Sequence, residues 1–522
     1  MPNIHIPRPH REITASKAGV ILDGSLTAMT GTDCTEALQK IIDQHTPECN
    51  LKLIIDGVAL VHDLKLRSNL HIQGCGPHTG FSQNFSEGPT PCALRNANWR
   101  SNWNKEEIED HDIWITDLTI SGNRENGVSG NPADCRFTPG GGWITAARFY
   151  GVRGFQFRNV RLVDPATFGV SAANLEWFAF DNCEFIHTRF MKGLLHPDFG
   201  RGQNTDGIHI NGPASDGTIT NIRLATGDDG IALNATDGGR NPWDDAAKES
   251  LKQHFSEMYW MGPIRRVAIS NITSHNSWQI IRLLSGRDEV YGTGMVAEID
   301  DVTISNVNGV CANYAIGMEK WPDGGTPEFG KISISHVNVE HRCDGYWYDP
   351  TGWNPHGKPG PWENWYFIGI GGNCSQIHLS DIKRNSLNAD QSAIHVHNGS
   401  RVRDLVISDL SVCEFSGARK NPGPLVKIGG RFFQGFDGTT RVDCLTLRNP
   451  RWLRDTPTDA ALCEITEEGS VGSLVLSGGV GQNIGALIEN RGKIETLAAF
   501  GNIPGGTAKV VRNKGEAGKV SE

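Results

Sequence analysis

Alternating hydrophobic and polar residues recur along most of the chain. From about residue 113 onward, a short alternating segment is followed by Asn or Asp, then an aliphatic residue, then a second short alternating segment. The copies read WITDLTISG, FQFRNVRLV, FAFDNCEFI, TITNIRLAT, VAISNITSH, VTISNVNGV, ISISHVNVE, IHLSDIKRN and LVISDLSVC. They recur at irregular intervals of about 23 to 50 residues. Each copy predicts one coil of a solenoid, and the irregular spacing places insertions in the loops.

The alternation has a period of two residues, which is typical of half-buried β-strands. The recurring Asn or Asp falls between two strands, and both residue types tolerate the left-handed backbone of a tight turn. Stacked coils would lie about 4.8 Å apart, each strand pairing in parallel with the coils above and below. The sequence therefore predicts an all-β fold, a parallel β-helix.

The N-terminal part has a different pattern. The segment TDCTEALQKIIDQH has apolar residues at helical spacing behind a Thr/Asp cap, and the strand-like segments LKLIIDG and LKLRSNLHIQGCG follow it. We expect a short capping helix that shields the end of the solenoid. The predicted organisation is a single domain over 1–522, with the cap and first coils in 1–60 and stacked coils in 61–522. Long loops are expected near 236–262 and 341–367.

A second set of alternating segments predicts one column of strands. Its members read DGIHIN, DGIALN, QIIRLL, YAIGME, SAIHVH and GPLVKIG. Since successive side chains on a strand point to opposite faces, the aliphatic positions predict an inward row. That row comprises Ile208, Ile231, Ile281, Ile316, Ile394 and Val426. Their neighbours His209, Arg282, His395 and Lys427 are then expected on one continuous, polar outer face.

Three aspartates begin this column. Asn204-Thr205-Asp206-Gly207 and Gly227-Asp228-Asp229-Gly230 lie about one coil apart, so we expect Asp206, Asp228 and Asp229 to cluster. Glycosidic hydrolysis needs a protonated carboxyl for the leaving oxygen and a carboxylate to activate water, and repulsion between neighbouring carboxylates helps one of them keep its proton. Asp-Gly pairs are also ordinary turn chemistry. Carboxyl groups on neighbouring coils favour inversion, for which a separation of roughly 6.5 to 9.5 Å is typical.

These motifs resemble those of a known family. The two aspartate motifs are similar to the NTDG and DD motifs of polygalacturonases, family 28 of the glycoside hydrolases, within the right-handed, pectin-lyase-like β-helix proteins. The resemblance implies a hydrolase in which Asp228 is the general acid, while Asp206 and Asp229 hold and deprotonate the attacking water. Arg282 resembles the Arg of the family's RIK motif.

The sequence departs from that family at two places. Leu284 stands where the family has Lys, and the family's GHG segment is absent. Since the Lys helps to bind a galacturonate carboxylate in the family, a different or neutral sugar is expected, or a carboxylate held by Arg282 alone. His209, His254 or His275 could replace the missing His, and parity favours His209, although a packed or surface histidine is the commoner case.

Two further residues are candidates for binding the sugar. Glu319 falls further along the same outward column, and Trp321 follows it closely. Indole faces stack on the apolar faces of pyranose rings, but a loop Trp is at least as often a packing anchor. The predicted substrate-binding set is therefore His209, Arg282, Glu319 and Trp321.

Composition and charge limit the classes of ligand and partner that this protein is expected to bind. A net charge of −10 and a pI near 6.0, without a dense Lys/Arg run, argue against nucleic acid. No segment approaches the roughly 18 apolar residues of a membrane span, and the N-terminus lacks the apolar core of a signal peptide. We expect a carbohydrate substrate and a monomer, without cofactor or metal, since no His/Cys/Glu set has ligand spacing. The substrate class favours an extracellular or periplasmic location. The 12 Cys leave disulfides undecided.

Two other functions are compatible with the same fold. A polysaccharide lyase would abstract a proton beside a uronate carboxylate, often with calcium, and the aspartates would then form the calcium site. A glycan-binding or depolymerising spike of the phage type would be a homotrimer. Product chemistry and molecular mass discriminate these alternatives from the hydrolase.

Overall fold

The structure is a computed structural model that describes 11–45, 49–84, 92–98, 107–123, 144–188, 205–236, 261–287, 296–319, 325–341, 366–385, 391–414, 423–430, 438–505 and 509–521. The chain divides into two compact units, Met1–Ala268 and Ile269–Glu522, which are considered separately below. Almost all regular structure in both units is β-strand.

The first unit contains one α-helix, α1 (Thr35–His45), a single 3-10 turn (Ser16–Ala18) and fourteen complete strands among its described residues. The strands are β1 (Arg11–Thr14), β2 (Leu51–Ile55), β3 (Val58–Val61), β4 (Leu64–Leu66), β5 (Leu70–Gly74), β6 (Gly80–Gln83), β7 (Leu94–Asn96), β8 (Asp110–Ser121), β9 (Ala147–Val163), β10 (Val170–Glu176), β11 (Ala179–Asp181), β12 (Glu184–Ile186), β13 (Ile208–Ala225) and β14 (Asp229–Asn234). Strand β15 (Ile264–Leu284) includes the boundary between the units.

The second unit continues with strands alone among the residues that the structure describes there. They are β16 (Gly286–Arg287), β17 (Val296–Ala297), β18 (Ile299–Glu319), β19 (Glu328–His341), β20 (Ile368–Ile370), β21 (Asn373–Asn385), β22 (Ile394–Val396), β23 (Arg401–Glu414), β24 (Val426–Ile428), β25 (Thr440–Arg448), β26 (Arg451–Arg454), β27 (Ala461–Ile465), β28 (Gly469–Ser477), β29 (Val480–Gln482), β30 (Ala486–Asn490), β31 (Lys493–Phe500), β32 (Ile503–Pro504), β33 (Lys509–Asn513) and β34 (Glu516–Ser521).

Parallel pairing between successive coils builds columns of strands in each unit. In the first unit, one column runs through β4, β7, β9, β10, β13 and β14. In the second unit, one column runs from β19 through β21, β23, β25, β28 and β31 to β34, and another from β20 through β22, β24, β27 and β30 to β33. The prediction of a right-handed parallel β-helix is confirmed.

The turn residues predicted from the repeats adopt the predicted geometry. The Asn, Asp or His between the two halves of each repeat has a positive φ of 50 to 58°. These residues are Asp117, Asn159, Asn182, Asn221, Asn271, Asn306, His336, Asp381 and Asp409. Several of them form a side-chain ladder, in which Asn159 Nδ2 donates to Asp117 Oδ1 at 2.7 Å and Asn182 Nδ2 donates to Asn159 Oδ1 at 2.8 Å. The turns of neighbouring coils therefore support one another.

The inward row of aliphatic residues and the N-terminal helix are also confirmed by the structure. All six aliphatic residues of the inward row are fully buried. Helix α1 has Leu38 and Ile42 buried, and Asp33 Oδ1 accepts a hydrogen bond from the Thr35 N–H at 2.9 Å, which satisfies a backbone donor in the first turn of the helix. Among the described residues, no helix is long and apolar enough to cross a membrane.

Some predictions concern residues outside those described. The expected loops near 236–262 and 341–367 lie almost entirely outside the described ranges, and the single-domain organisation stays a prediction. The cysteines described as free thiols are Cys34, Cys49, Cys75, Cys92, Cys183, Cys311, Cys374, Cys444 and Cys463.

Candidate active site

The strand register of the first unit brings the two aspartate motifs level with each other. Ile208 at the start of β13 pairs with Ile231 in β14, and the N–H of Gly207 donates to the carbonyl oxygen of Asp229 at 2.9 Å. Asp206 and Asp229 therefore occupy matching positions in adjacent coils. Their separation of 23 residues in the sequence is one coil of the helix.

Glycine is needed where these coils meet. A Cβ on Gly207 would lie 2.5 Å from the carbonyl oxygen of Gly230, closer than the backbone of the next coil allows. The chain also bends at Gly227 and Asp228 before β14 begins. Thr205 Oγ1 accepts a hydrogen bond from the Gly227 N–H at 3.1 Å, which fixes this bend against the preceding coil. The bend lets two consecutive aspartates face the same side, which a regular strand would prevent.

The carboxylates of Asp206, Asp228 and Asp229 form a cluster. One oxygen from each lies within 4.8 Å of the oxygens of the other two. Asp206 and Asp229 are buried, with 3% and 2% of their surface exposed, whereas Asp228 is partly exposed. The cluster therefore presents Asp228 to solvent and encloses the other two acids.

His209 is part of the same cluster. Its Nδ1 lies 2.7 Å from Asp206 Oδ2, and both side chains are only 4% exposed. The imidazole stacks on the Phe168 ring with centroids 4.4 Å apart and an interplanar angle of 8°. Phe168 and Asp206 thus fix both the plane and the rotation of the imidazole.

The three carboxylates could also hold a metal ion. Carboxylate oxygens are the ligands that Ca²⁺ and Mg²⁺ prefer, and three converging oxygens match part of such a coordination shell. Among the residues that the structure describes, this is the one cluster in which three or more Asp, Glu, His or Cys side chains bring ligand atoms close enough to bind a single ion.

The expected polar outer face is wrong in its exposure at two of its four positions, since Arg282 and Lys427 are partly exposed. His209 and His395 are buried, with 3% and 4% of their surface exposed. Phe168 covers one face of the His209 ring, and His395 packs against His397 with ring centroids 4.6 Å apart. Alternation therefore gave the correct inward row, but the opposite row is also covered at these positions.

Arg282 and Glu319 lie in the second unit, where they form an ion pair. Arg282 Nε is 3.2 Å from Glu319 Oε2, and the Glu319 side chain is 9% exposed. The Tyr366 hydroxyl donates a hydrogen bond to Glu319 Oε1, and the Tyr314 hydroxyl lies 3.5 Å from Oε2. The two tyrosine rings stack with centroids 5.3 Å apart. Glu319 is therefore held between a guanidinium and two phenols.

His395 and His397 lie beside the group formed by Arg282, Glu319 and the two tyrosines, since the His397 ring is 4.8 Å from the Tyr366 ring, centroid to centroid. Burial and the nearby Lys427 charge lower the pKa of His395 to about 3, and burial holds the pKa of His397 well below its usual value. His395 Nε2 donates to the carbonyl oxygen of Gly429 at 3.1 Å. Both imidazoles are therefore neutral near neutral pH.

The other candidate residues have different placements. Trp321, Asn204 and His254 lie outside the described residues, while His275 is exposed on the second unit. The partners Phe168, Tyr314 and Tyr366 were not predicted. Tyr314 lies two residues before Ile316 in the segment YAIGME, so the alternation is compatible with its burial but gives no indication of its hydroxyl contact.

Comparison with known proteins supports the fold. No family model matches the sequence, and no curated protein matches it. A tailspike protein of E. coli bacteriophage HK620, solved in complex with a pentasaccharide, is 10% identical and superimposes with a TM-score of 0.51 over 86% of this chain and 73% of the tailspike.

Two exopolygalacturonases are also among the similar structures. The family 28 enzyme of Yersinia enterocolitica is 13% identical, with a TM-score of 0.49 over 97% of this chain and 78% of the enzyme. The hyperthermoactive enzyme of Thermotoga maritima is 14% identical, with a TM-score of 0.47 over 91% of each chain. At these identities, structural likeness shows the fold alone.

Proposed function

We propose that this protein is a glycoside hydrolase that cleaves a polysaccharide or oligosaccharide by acid/base catalysis at Asp206, Asp228 and Asp229. The observation that carries the proposal is the approach of one oxygen from each carboxylate to within 4.8 Å of the others. Ionised carboxylates at this distance repel one another, so retention of a proton by one of them is favoured. A proton donor beside a proton acceptor is the pair that glycosidic hydrolysis requires.

Exposure and hydrogen bonding support different roles for the three acids. Asp228 is the partly exposed member, so it is the one placed to meet a glycosidic oxygen arriving from solvent. Asp206 accepts the His209 N–H, which favours its ionised form. Asp228 is accordingly the general acid, and Asp206 with Asp229 orients and deprotonates the attacking water.

Inversion of the anomeric centre is the stereochemical course that the sequence predicts from carboxyl groups on neighbouring coils, and it stays a proposal. The oxygen separation of at most 4.8 Å is shorter than the roughly 6.5 to 9.5 Å between carboxyl groups from which inversion was expected. Spacing therefore does not support inversion here. Nuclear magnetic resonance of the first product gives the answer, because an inverted anomer supports the proposal and a retained anomer contradicts it.

A panel of purified glycans tests the proposed activity. We expect new reducing ends from at least one anionic or neutral polysaccharide, without an ultraviolet-absorbing double bond in the product. Hydrolysis adds water across the bond, whereas elimination leaves unsaturation. Formation of an unsaturated product would replace the hydrolase with a lyase, and inertness toward the whole panel would contradict both enzymes.

The lyase is the second candidate because three converging carboxylates also suit a cation. Proton transfer between carboxylates needs no ion, so we expect turnover to survive dialysis against EDTA. Loss of activity in EDTA with recovery on adding Ca²⁺ would favour the lyase.

The glycan-binding spike is the third candidate, favoured by the TM-score of 0.51 to the HK620 tailspike. Our proposal is a monomer that binds carbohydrate, without nucleic-acid or membrane partners. Size-exclusion chromatography with light scattering is expected to give the monomer mass of 57.0 kDa, and three times that mass together with an inactive glycan panel would favour the spike.

A further inference from the structure

A column of left-handed turn residues crosses the surface of the first unit. Asp112, Gly154, Trp177, Asp216 and Arg266 have φ values of 54, 76, 54, 59 and 56°. Glycine adopts this conformation without cost, and Asp reaches it more readily than most side chains. A bulky aromatic residue is an outlier there. Trp177 and Arg266 are therefore the members whose side chains this conformation does not favour. Arg266 is held in an ion pair, with its Nε 2.7 Å from Asp216 Oδ1.

Strand register places Trp177 in the middle of this column. Strand β11 pairs with β9 and β13 so that Trp177 is level with Gly154 in one neighbouring coil and with Asp216 in the other. The Trp177 N–H donates to the carbonyl oxygen of Ser215 at 3.1 Å, which confirms the alignment. Gly154 has no side chain, so on that side the indole is contacted by Arg153, the residue before it, which lies over the ring.

The indole is exposed beside a pair of charged groups. Trp177 has 51% of its surface exposed, and the Arg153 guanidinium carbon lies 5.7 Å from the ring centroid. Arg153 Nε donates to Glu176 Oε2 at 2.7 Å. An apolar ring, guanidinium donors and a carboxylate acceptor thus meet at one solvent-facing place.

Exposure alone does not indicate a site, since single exposed apolar side chains are ordinary. Ile21 and Ile503 are more exposed than Trp177, at 56% and 64%. Trp177 differs from them because its backbone is in the left-handed region, where Asn, Asp or Gly would be favoured. Its backbone is strained and its indole is exposed to water, and neither feature stabilises the folded state.

We infer that Trp177, Arg153 and Glu176 form a sugar-binding subsite for one pyranose ring of a polysaccharide, separate from the aspartate cluster. The indole face suits the apolar face of a pyranose ring, while the Arg153 donors and the Glu176 acceptor match hydroxyl groups at its rim. The choice of carbohydrate as ligand rests on the proposed function. The location of the subsite does not depend on that proposal. Trp177 follows the C-terminal end of β10, whereas Asp206 lies just before β13, whose first residue pairs with the first residue of β10, so the two sites lie at opposite ends of β10.

The subsite would act by holding a long substrate near the catalytic acids. Binding at a second place on the same unit raises the effective concentration of a polymer at the first place. A short oligosaccharide that occupies only the aspartate cluster gains nothing from it. The subsite therefore affects the apparent KM for polymer and leaves the turnover of short oligosaccharides unchanged.

The substitution Trp177→Asn tests this inference. In an Asp228→Asn background, which prevents cleavage of the probes, affinity electrophoresis is run in gels containing polygalacturonate, β-1,4-galactan or dextran. We expect at least one gel to retain the parent, and Trp177→Asn to raise the dissociation constant about fivefold or more. The melting temperature should stay equal or rise, because Asn fits the left-handed turn. Phe500→Asn, which removes an aromatic side chain that is 57% exposed, is the matched control and should not change retention.

Three results would overturn the subsite. They are unchanged retention of Trp177→Asn, a fall in its melting temperature alongside the loss of retention, and a parent protein that no gel retains. Failure of the proposed hydrolase is a separate outcome. A wild-type protein that cleaves no glycan but shows Trp177-dependent retention would contradict the hydrolase and support the subsite.

Discussion

At the scale of single residues, the pair formed by Asp206 and His209 organises the candidate active site. The imidazole is stacked on Phe168, and its Nδ1 is 2.7 Å from the Asp206 carboxylate, in surroundings that exclude most water. A hydrogen bond to an ionised carboxylate is stronger in such surroundings than in water. His209 is thus a positioning residue, which acts through Asp206.

Replacement of His209 tests this role. In His209→Ala, Asp206 loses a donor that favours its ionised form, so the acid limb of the kcat/KM profile should move to higher pH and kcat should fall about 10- to 100-fold. The pH profile separates this effect from a simple loss of packing. Phe168→Leu, which removes the stacking but leaves the hydrogen bond, is the control and should keep the limb in place. An unmoved limb in His209→Ala would contradict the role.

Buried His395 makes stability depend on pH. Burial and the Lys427 charge lower its folded pKa to about 3, against the ordinary value of 6.5. The folded state therefore favours the neutral imidazole, and this contribution is complete above pH 6.5 and is lost as pH falls toward 3. Each pH unit in that window costs about 1.4 kcal/mol for one proton.

Denaturant unfolding at several pH values measures this contribution. His395→Gln should be less stable than wild type at pH 7, and its free energy of unfolding should fall less steeply between pH 6.5 and 4.5. His378→Gln, in which an exposed histidine is replaced, should keep the wild-type slope. Equal slopes for wild type and His395→Gln would contradict the assignment.

At the scale of elements, the repeated turns determine how one coil stacks on the next. Asn159 illustrates the rule, because its φ is 55° and its amide both donates to Asp117 and accepts from Asn182. The sequence predicted this conformation, since Asn or Asp falls at the same place in eight of the nine copies of the repeat. The hydrogen-bonded ladder was not predicted, because its geometry depends on the register between coils.

Two substitutions at Asn159 separate conformation from hydrogen bonding. Asn159→Gly keeps the left-handed turn and loses the ladder bonds, so we expect a loss of about 0.5 to 1.5 kcal/mol in the free energy of unfolding. Asn159→Ala also adds the cost of a left-handed turn, about 1 kcal/mol or more. Urea unfolding should therefore rank wild type above the Gly variant and the Gly variant above the Ala variant. A reversed order of the two variants would show that the turn conformation is not what Asn159 supplies.

At the scale of the whole molecule, period-two alternation was sufficient to predict the fold class and the inward row, and helical spacing of apolar residues was sufficient to predict the N-terminal helix. Alternation was insufficient for the polar row, because His209 and His395 are covered by Phe168 and His397, partners that the local sequence does not indicate. The positions of the aspartates follow from the coil length of 23 residues. Their distances and unequal exposure depend on the bend at Asp228, and alternation describes only regular strands.

The organisation of the chain as one domain over 1–522 is a proposal that limited proteolysis tests. Linkers between independent domains are exposed and are cut early. We expect no early cleavage near residue 268, where the two compact units meet in the sequence. Release of two stable fragments by a cut there would contradict a single domain.

The substitution Asp228→Asn tests the central claim most directly. It removes a transferable proton and keeps the size of the side chain, so turnover of the cleaved glycan should fall by about 10²- to 10⁴-fold, while glycan affinity and melting temperature stay at wild-type values. Asp301→Asn, at an exposed turn of the second unit, is the control and should retain full turnover. Near-normal turnover in Asp228→Asn would contradict the account of the aspartate cluster as a catalytic site.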